Sequence, residues 1–344
     1  LKTRRPSHKF SRPAFKPAPG HYRVTSVIFA MLVALAFFIC SSPTKAGNSS
    51  APIGNYLSGR YAQNIKDPGA AIKFYRAALK SDPENLDIQI RIFSILVSEG
   101  RMREALPIAE ILVELETKKV SLASLLLALR AIRQNNYSEA IDRLNNLPDA
   151  GVDAFTSPLL KAWVLAYQKK YTEALEILTA RMSNPGVVAL FGPHAALILE
   201  KSGDQAAAEV QLQNSLKNYR RVGLGMTRVA GAFYERLGKT NKARELYETF
   251  LRDQPGSPLF DRAIARVNAP SPETPASLTF TEGVAEALYS LYRSILRQDP
   301  FEASIFNQLA IYSDPNFAIA KLTLGDYLLR DNRIKDAIKI YEGI

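Results

Sequence analysis

The chain has 344 residues, a formal net charge of +11, 47% hydrophobic and 22% charged residues, three histidines and one cysteine. One cysteine excludes an intramolecular disulfide framework and a multi-cysteine zinc site, and the balance of apolar and charged residues excludes both a disordered chain and a polytopic membrane protein. The charge invites a nucleic-acid-binding reading, so where it sits decides what it means.

Residues 1–23 are a basic leader, with Lys2, Arg4, Arg5, Lys9, Arg12, Lys16 and Arg23 and no acidic residue. From Val24 to Thr44 there is no charge, and Val27–Cys40 is almost wholly apolar. A basic stretch followed by an apolar one is the pattern of a signal peptide or a membrane anchor, and residues 24–46 are assigned to one or the other. Thr44-Lys45-Ala46 before Gly47 is a tolerable small-residue cleavage site. Against cleavage stand the long basic leader and the reach of Val24–Cys40, roughly 26 Å, close to a hydrocarbon core. In either case the cation excess holds the N-terminus in the cytoplasm and the remainder is exported. The expected location is the cell envelope, with the folded part in the periplasm. It is either anchored in the inner membrane by residues 24–40 or released after cleavage near Ala46. Arg4-Arg5 lacks the apolar residues a twin-arginine motif needs, and Ile39 stands where a lipoprotein cysteine would follow a small residue; both are read as chance.

Residues 1–46 hold eight Lys/Arg and no Asp/Glu, which leaves 36 against 33 in residues 47–344. The part that folds is therefore nearly neutral at +3, and no nucleic-acid partner is expected. Residues 47–51 and 268–280 are rich in Pro, Ser, Thr, Ala and Asn and read as linkers.

Between and beyond these linkers the sequence repeats. Alanines recur at Ala71, Ala105, Ala140, Ala174, Ala208, Ala243, Ala303 and Ala337, at intervals of 34, 35, 34, 34, 35, 60 and 34. Five residues before each stand Lys66, Gly100, Asn135, Lys169, Gly203, Gly238, Gln298 and Asn332, mostly types that tolerate positive φ between two helices. Four residues after come Tyr75, Leu144, Leu178, Leu212 and Tyr247, and Pro83, Pro255 and Pro315 follow where a second helix should close. Two helices of about a dozen residues and two short turns account for such a period. The alanine lets the helices approach, and the large residue one turn later fills the groove. Apolar residues at helical spacing, such as Ile88, Ile92, Ile95 and Leu96, require the hairpins to stack.

The pattern resembles the tetratricopeptide repeat family. The clearest copy is Gly231-Ala232-Phe233-Tyr234 with Gly238, Ala243, Tyr247, Phe250 and Pro255; the first has Gly59, Ala71, Tyr75, Ala78 and Pro83, and the last Leu324-Gly325, Ala337 and Tyr341. Ser215 and Ala109 depart from the usual residues. The resemblance implies an all-α, right-handed solenoid of antiparallel helix pairs, about eight repeats, behind an N-terminal hydrophobic helix. Repeats one to six are placed at 52–267 and seven and eight at 281–344. The longer interval is read as a joint containing a helix at Leu259–Val267 and a longer helix opening near Thr281. The chain stops inside the second helix of its last repeat and starts with Leu, and no polar cap is evident, so the array is expected to continue.

Chemistry is scarce. Beyond residue 46 there is no cysteine and one histidine, His194, which reads as a half-buried or surface residue. Gly223-Leu224-Gly225 lacks the rest of a phosphate fingerprint, and pairs such as Asp82/Glu84 fall in turns. No catalytic, metal-ligating or cofactor-binding residue is assigned, and no enzyme activity or cofactor is expected.

The family resemblance implies a concave groove lined by the first helix of each repeat. By register it supplies Tyr56 and Arg60, Trp163 and Tyr167, Arg228 and Arg236, and Asp326 and Arg330 as partner-binding candidates. Aromatics and arginine are apt anchors, although Trp163 can equally be core between hairpins. The Lys/Asn set that clamps a terminal carboxylate in some members is not seen together in any copy. The expected function is a non-enzymatic interaction scaffold or adaptor of the cell envelope that binds another protein or an extended peptide, touching the membrane only through residues 24–40. The alternative is a substrate-recruiting or regulatory arm of an enzyme, such as an envelope transferase, whose catalytic domain lies beyond Ile344.

Overall fold

A computed structural model of the chain describes residues 52–115, 121–219, 221–271 and 273–344. The leader and the apolar segment at 24–46 lie outside them. Among the described residues there are seventeen α-helices, one short 3-10 turn and no strand. None of these helices is long and apolar enough to cross a membrane.

Six hairpins follow one another: α1 (Pro52–Asn64) with α2 (Pro68–Leu79), α3 (Leu86–Ser98) with α4 (Met102–Glu114), and α5 (Ser121–Arg133) with α6 (Tyr137–Asn145). Then come α7 (Asp153–Tyr167) with α8 (Tyr171–Thr179), α9 (Pro185–Ser202) with α10 (Gln205–Leu216), and α11 (Leu224–Arg236) with α12 (Thr240–Asp253). A 3-10 turn at Pro258–Phe260 leads to α13 (Asp261–Asn268). After the linker come α14 (Phe280–Ile295) with α15 (Pro300–Ser313), and α16 (Ala318–Arg330) with α17 (Ile334–Glu342).

The alanine register is the packing register. All eight repeat alanines are completely buried, as are Tyr75, Leu144 and Leu178. Seven of the eight junction residues, from Lys66 to Asn332, have positive φ. At each of these the following N–H reaches back to the carbonyl five residues earlier, as in Lys170 to Leu165 at 2.9 Å, the bond that closes a Schellman turn. The exception is Gln298, whose turn is closed instead by Asp299 N–H to the Ile295 carbonyl at 3.0 Å. Side-chain caps start many of the helices: Asp67, Asn85, Asn136, Asn184 and Asp204 each accept from the backbone N–H three residues on.

Lys169 holds φ +61° with its side chain in solvent, a conformation that strains any residue with a Cβ. Lys169→Gly is therefore expected to raise stability by about 1 kcal/mol, reduced somewhat by the freer unfolded chain. Urea unfolding of the two proteins measures this, and an unchanged or lowered midpoint would refute it.

The joint is built as a cap on the sixth hairpin. Tyr247 stacks on Phe260, ring centroids 4.9 Å apart, and donates its hydroxyl to Glu235 at 2.6 Å. The Glu235 carboxylate, buried, also takes two hydrogen bonds from Arg266 of α13, at 2.6 and 2.9 Å. After the linker, α14 opens on a capping box: Glu282 N–H donates to Thr279 Oγ1 and Thr279 N–H to Glu282 Oε2.

From here the stack departs from a simple eight-unit array. Helix α14 packs on α7 and α9, and α15 packs on α3 and α5, all first helices of earlier hairpins. The α14–α15 pair thus lies across the inner face of the array. Helices α16 and α17 then return to the first two hairpins. Arg333 grips Glu99 with two bonds of 2.7 and 2.6 Å, and Lys66 pairs with Asp331. At the two ends of the described array, α1 exposes Ile53, Leu57 and Tyr61, followed by exposed Ile65, and α17 exposes Ile334 and Ile338.

Candidate functional site

The residues assigned to the groove fall into two groups. Trp163, on α7, is completely buried and does not face open space: α14 lies over it. Gly283 makes that approach possible, since a Cβ there would stand 2.3 Å from Trp163 Cζ3. Trp163 Nε1 donates to His194 Nδ1 at 3.2 Å, and His194 Nε2 lies 3.2 Å from Ser290 Oγ of α14. The tautomer follows: Nδ1 accepts, so Nε2 carries the proton and donates to Ser290. His194, expected at or near the surface, is instead buried, and burial pushes its pKa down to about 4. It is a structural link between α7, α9 and α14.

Tyr167, half exposed, sits in an aromatic cluster with Tyr137 and Phe280, its ring 4.6 and 4.7 Å from theirs. Arg228 pairs with Glu286 of α14, whose side chain is buried, and lies 5.3 Å from the centroid of the Phe317 ring. Arg236 forms a buried two-pronged pair with Glu200, at 2.5 and 2.8 Å. These four of the eight assigned positions are thus occupied from within the chain, three of them by α14. The reason is geometric: a surface of aromatics and arginines suited to an incoming helix holds a helix of its own.

The other four lie toward the ends of the array. Tyr56 is half-buried under Arg91, which sits 5.9 Å from its ring centroid. Asp326 accepts the Tyr341 hydroxyl at 2.7 Å. Arg60 and Arg330 are exposed, and both line one cleft between the first two hairpins, the α14–α15 turn and the last hairpin. The cleft has a volume of about 1120 Å³. It brings together two candidates 270 positions apart.

Residues that sequence reading did not single out complete the picture: Gly283, Glu286 and Ser290 on α14, and Arg91 and Arg297 in the cleft. The one available signal was the 60-residue interval, together with a glutamine at the junction where glycine or asparagine usually stands. Among the described residues no group of three or more His, Cys, Asp or Glu side chains could hold a metal ion.

A family model described as "Tetratricopeptide repeat" matches residues 125–185, which span α5 to the start of α9. Among solved structures, the chain is similar to the MamA protein, at 18% identity over 50% of this chain and 97% of that one, with a TM-score of 0.42. It is also similar to the Cut9–Hcn1 hetero-tetramer of APC/C, at 15% identity over 90% of this chain and 55% of that one, TM-score 0.37. A third is the P58(IPK) TPR domain, at 15% identity over 85% and 92%, TM-score 0.27. No curated protein sequence matches. The family match falls on the third and fourth hairpins, where the buried alanines and left-handed junctions hold the same register as in the flanking pairs, and these hairpins match the tetratricopeptide repeat.

Proposed function

We propose that this protein is a non-enzymatic scaffold or adaptor of the cell envelope that binds a segment of another protein on the inner side of its repeat array. Tetratricopeptide arrays are interaction modules, which supports binding rather than turnover. The observation that carries the reading is the docking of α14–α15: the inner face already holds the amphipathic α14 and the largely buried α15 through buried aromatics and ion pairs, and the cleft holding Arg60 and Arg330 is open. The envelope location rests on the basic leader and the uncharged run from Val24 to Thr44, which precede a nearly neutral array.

The reading is tested with the full chain. Cells expressing it with a photo-crosslinking amino acid at position 60 or 330 are irradiated and fractionated. The expected result is protection of the array from protease until the outer barrier is opened, with one protein crosslinked at both positions. A chain accessible only from the cytoplasm would overturn the location, and the absence of a shared adduct would overturn the binding.

A further inference from the structure

The cleft has a distinct charge pattern. Its acidic residues are nearly all engaged. Glu99 is held by Arg333, Asp336 by the same arginine at 2.9 Å, and Asp331 by Lys66. Asp299 caps α15, accepting from Glu302 N–H at 2.9 Å. The cations are not: Arg60, Arg91, Arg297 and Arg330 form no ion pair among the described residues, although all four line the cleft. Arg91 is the most telling. Its Nε is buried and has no hydrogen-bond partner, and its guanidinium lies over the Tyr56 ring with no carboxylate paired to it. Four arginines without a carboxylate partner line one concavity in an array that as a whole is nearly neutral.

The walls point to the class of ligand. Buried or partly exposed apolar side chains, Ile95, Leu324, Leu328 and the 42%-exposed Phe301, line the same cleft as the arginines. The volume, about 1120 Å³, lies just above the usual range of small-molecule sites, and the arginines come from three different helices and one turn. A ligand that satisfies both features carries carboxylates at intervals and apolar side chains between them.

We infer that this cleft takes an extended acidic peptide segment of a partner protein, its carboxylates on Arg60, Arg91, Arg297 and Arg330 and its apolar side chains against Ile95, Leu324 and Phe301. The inference rests on the reading of the array as an interaction scaffold and adds the chemistry of what it binds.

The test is fluorescence anisotropy with the full chain and three labelled probes: a peptide alternating Glu and Leu, its Lys-for-Glu counterpart, and a single-stranded oligonucleotide. The acidic peptide is expected to bind and to weaken as salt is raised. Arg60→Glu with Arg330→Glu should weaken it at least roughly ten-fold. Both side chains are exposed and outside any ion pair, and Arg330 makes only one long hydrogen bond, to the Asp326 carbonyl at 3.3 Å, so thermal unfolding should change little. Lys217→Glu with Arg262→Glu makes the same charge change outside the cleft and should leave binding within about two-fold. Equal binding of the Lys peptide, preference for the oligonucleotide, no binding of the acidic peptide, or an equal loss in the control variant would each overturn the inference. If the crosslinked envelope protein is still captured by the Arg60→Glu, Arg330→Glu chain, the scaffold reading stands and the cleft assignment alone falls.

Discussion

Trp163→Ala is expected to destabilise the protein by about 3–5 kcal/mol, the range for deleting a fully buried large aromatic. The indole is completely buried, donates to His194 and lies against the backbone of α14 at Gly283, so its loss opens a cavity and leaves a ring nitrogen without its donor. Gly283→Ala attacks the same contact from the other side. Its new Cβ would meet three Trp163 ring atoms at 2.3–2.6 Å, which neither the enclosed ring nor the helix can yield without separating. A cost of about 1–3 kcal/mol is expected, offset in part by the better helix propensity of alanine. Trp163 is the only tryptophan in the chain, so its emission reports the docking directly. In Gly283→Ala the emission should shift to the red, and protease should cut the 268–280 linker faster, while far-ultraviolet dichroism stays helical. The two substitutions should also couple, because the cavity left by Trp163→Ala has room for the added methyl; Gly283→Ala should cost almost nothing in that background. Additive losses, or an unshifted emission, would contradict the seating of α14 on α7.

Acid should weaken the same contact through His194. Its folded-state pKa of about 4 lies below the ordinary value of 6.5, because burial disfavours the cation. The unfolded chain therefore binds the proton first as pH falls. The contribution of neutral His194 is complete above pH 6.5 and is lost progressively between 6.5 and 4. Protonation would also turn Nδ1 into a donor facing the Trp163 N–H, replacing a hydrogen bond with two opposed donors. The loss by pH 4 is on the order of 3 kcal/mol. Because carboxylates titrate in the same range, the measurement is a difference: urea unfolding from pH 7 to pH 4 of the natural chain and of His194→Gln. The variant should start less stable and decline less steeply; parallel declines would show that His194 does not titrate in this window.

Much of the fold was legible because its determinants are local. An alanine every 34 or 35 residues, a left-handed junction five residues before it and a large residue one turn after it are conditions on one hairpin and its neighbour, and a period exposes them. Even the lysines at 66 and 169 took the positive φ that their register required, against their own preference. The helix after the Pro-rich linker was legible as one opening near Thr281, and it opens at Phe280 on the Thr279–Glu282 capping box.

The candidate site was legible only in part. The residue types that suit an interface, Trp163, Arg228 and Arg236, were identified, but types do not say whether the partner is another molecule or the same chain. Glu286 meets Arg228 across 58 residues, Ser290 meets His194 across 96 and Arg333 meets Glu99 across 234. None of these distances is a multiple imposed by the repeat, so no period announces them.

The sequence by itself thus determined the hairpin, its length, its junctions, the stacking of the first six pairs and the near-neutral charge of the folded part, because each follows from helix geometry and burial between adjacent segments. Only the tertiary structure decided that α14–α15 turns inward to cover Trp163, and that the last hairpin returns to the first two and leaves four arginines without a carboxylate partner around a cleft. Those outcomes depend on the accumulated rotation of six stacked hairpins, which brings distant surfaces within reach and then lets a missing side chain at Gly283 and a few opposite charges select which of them close.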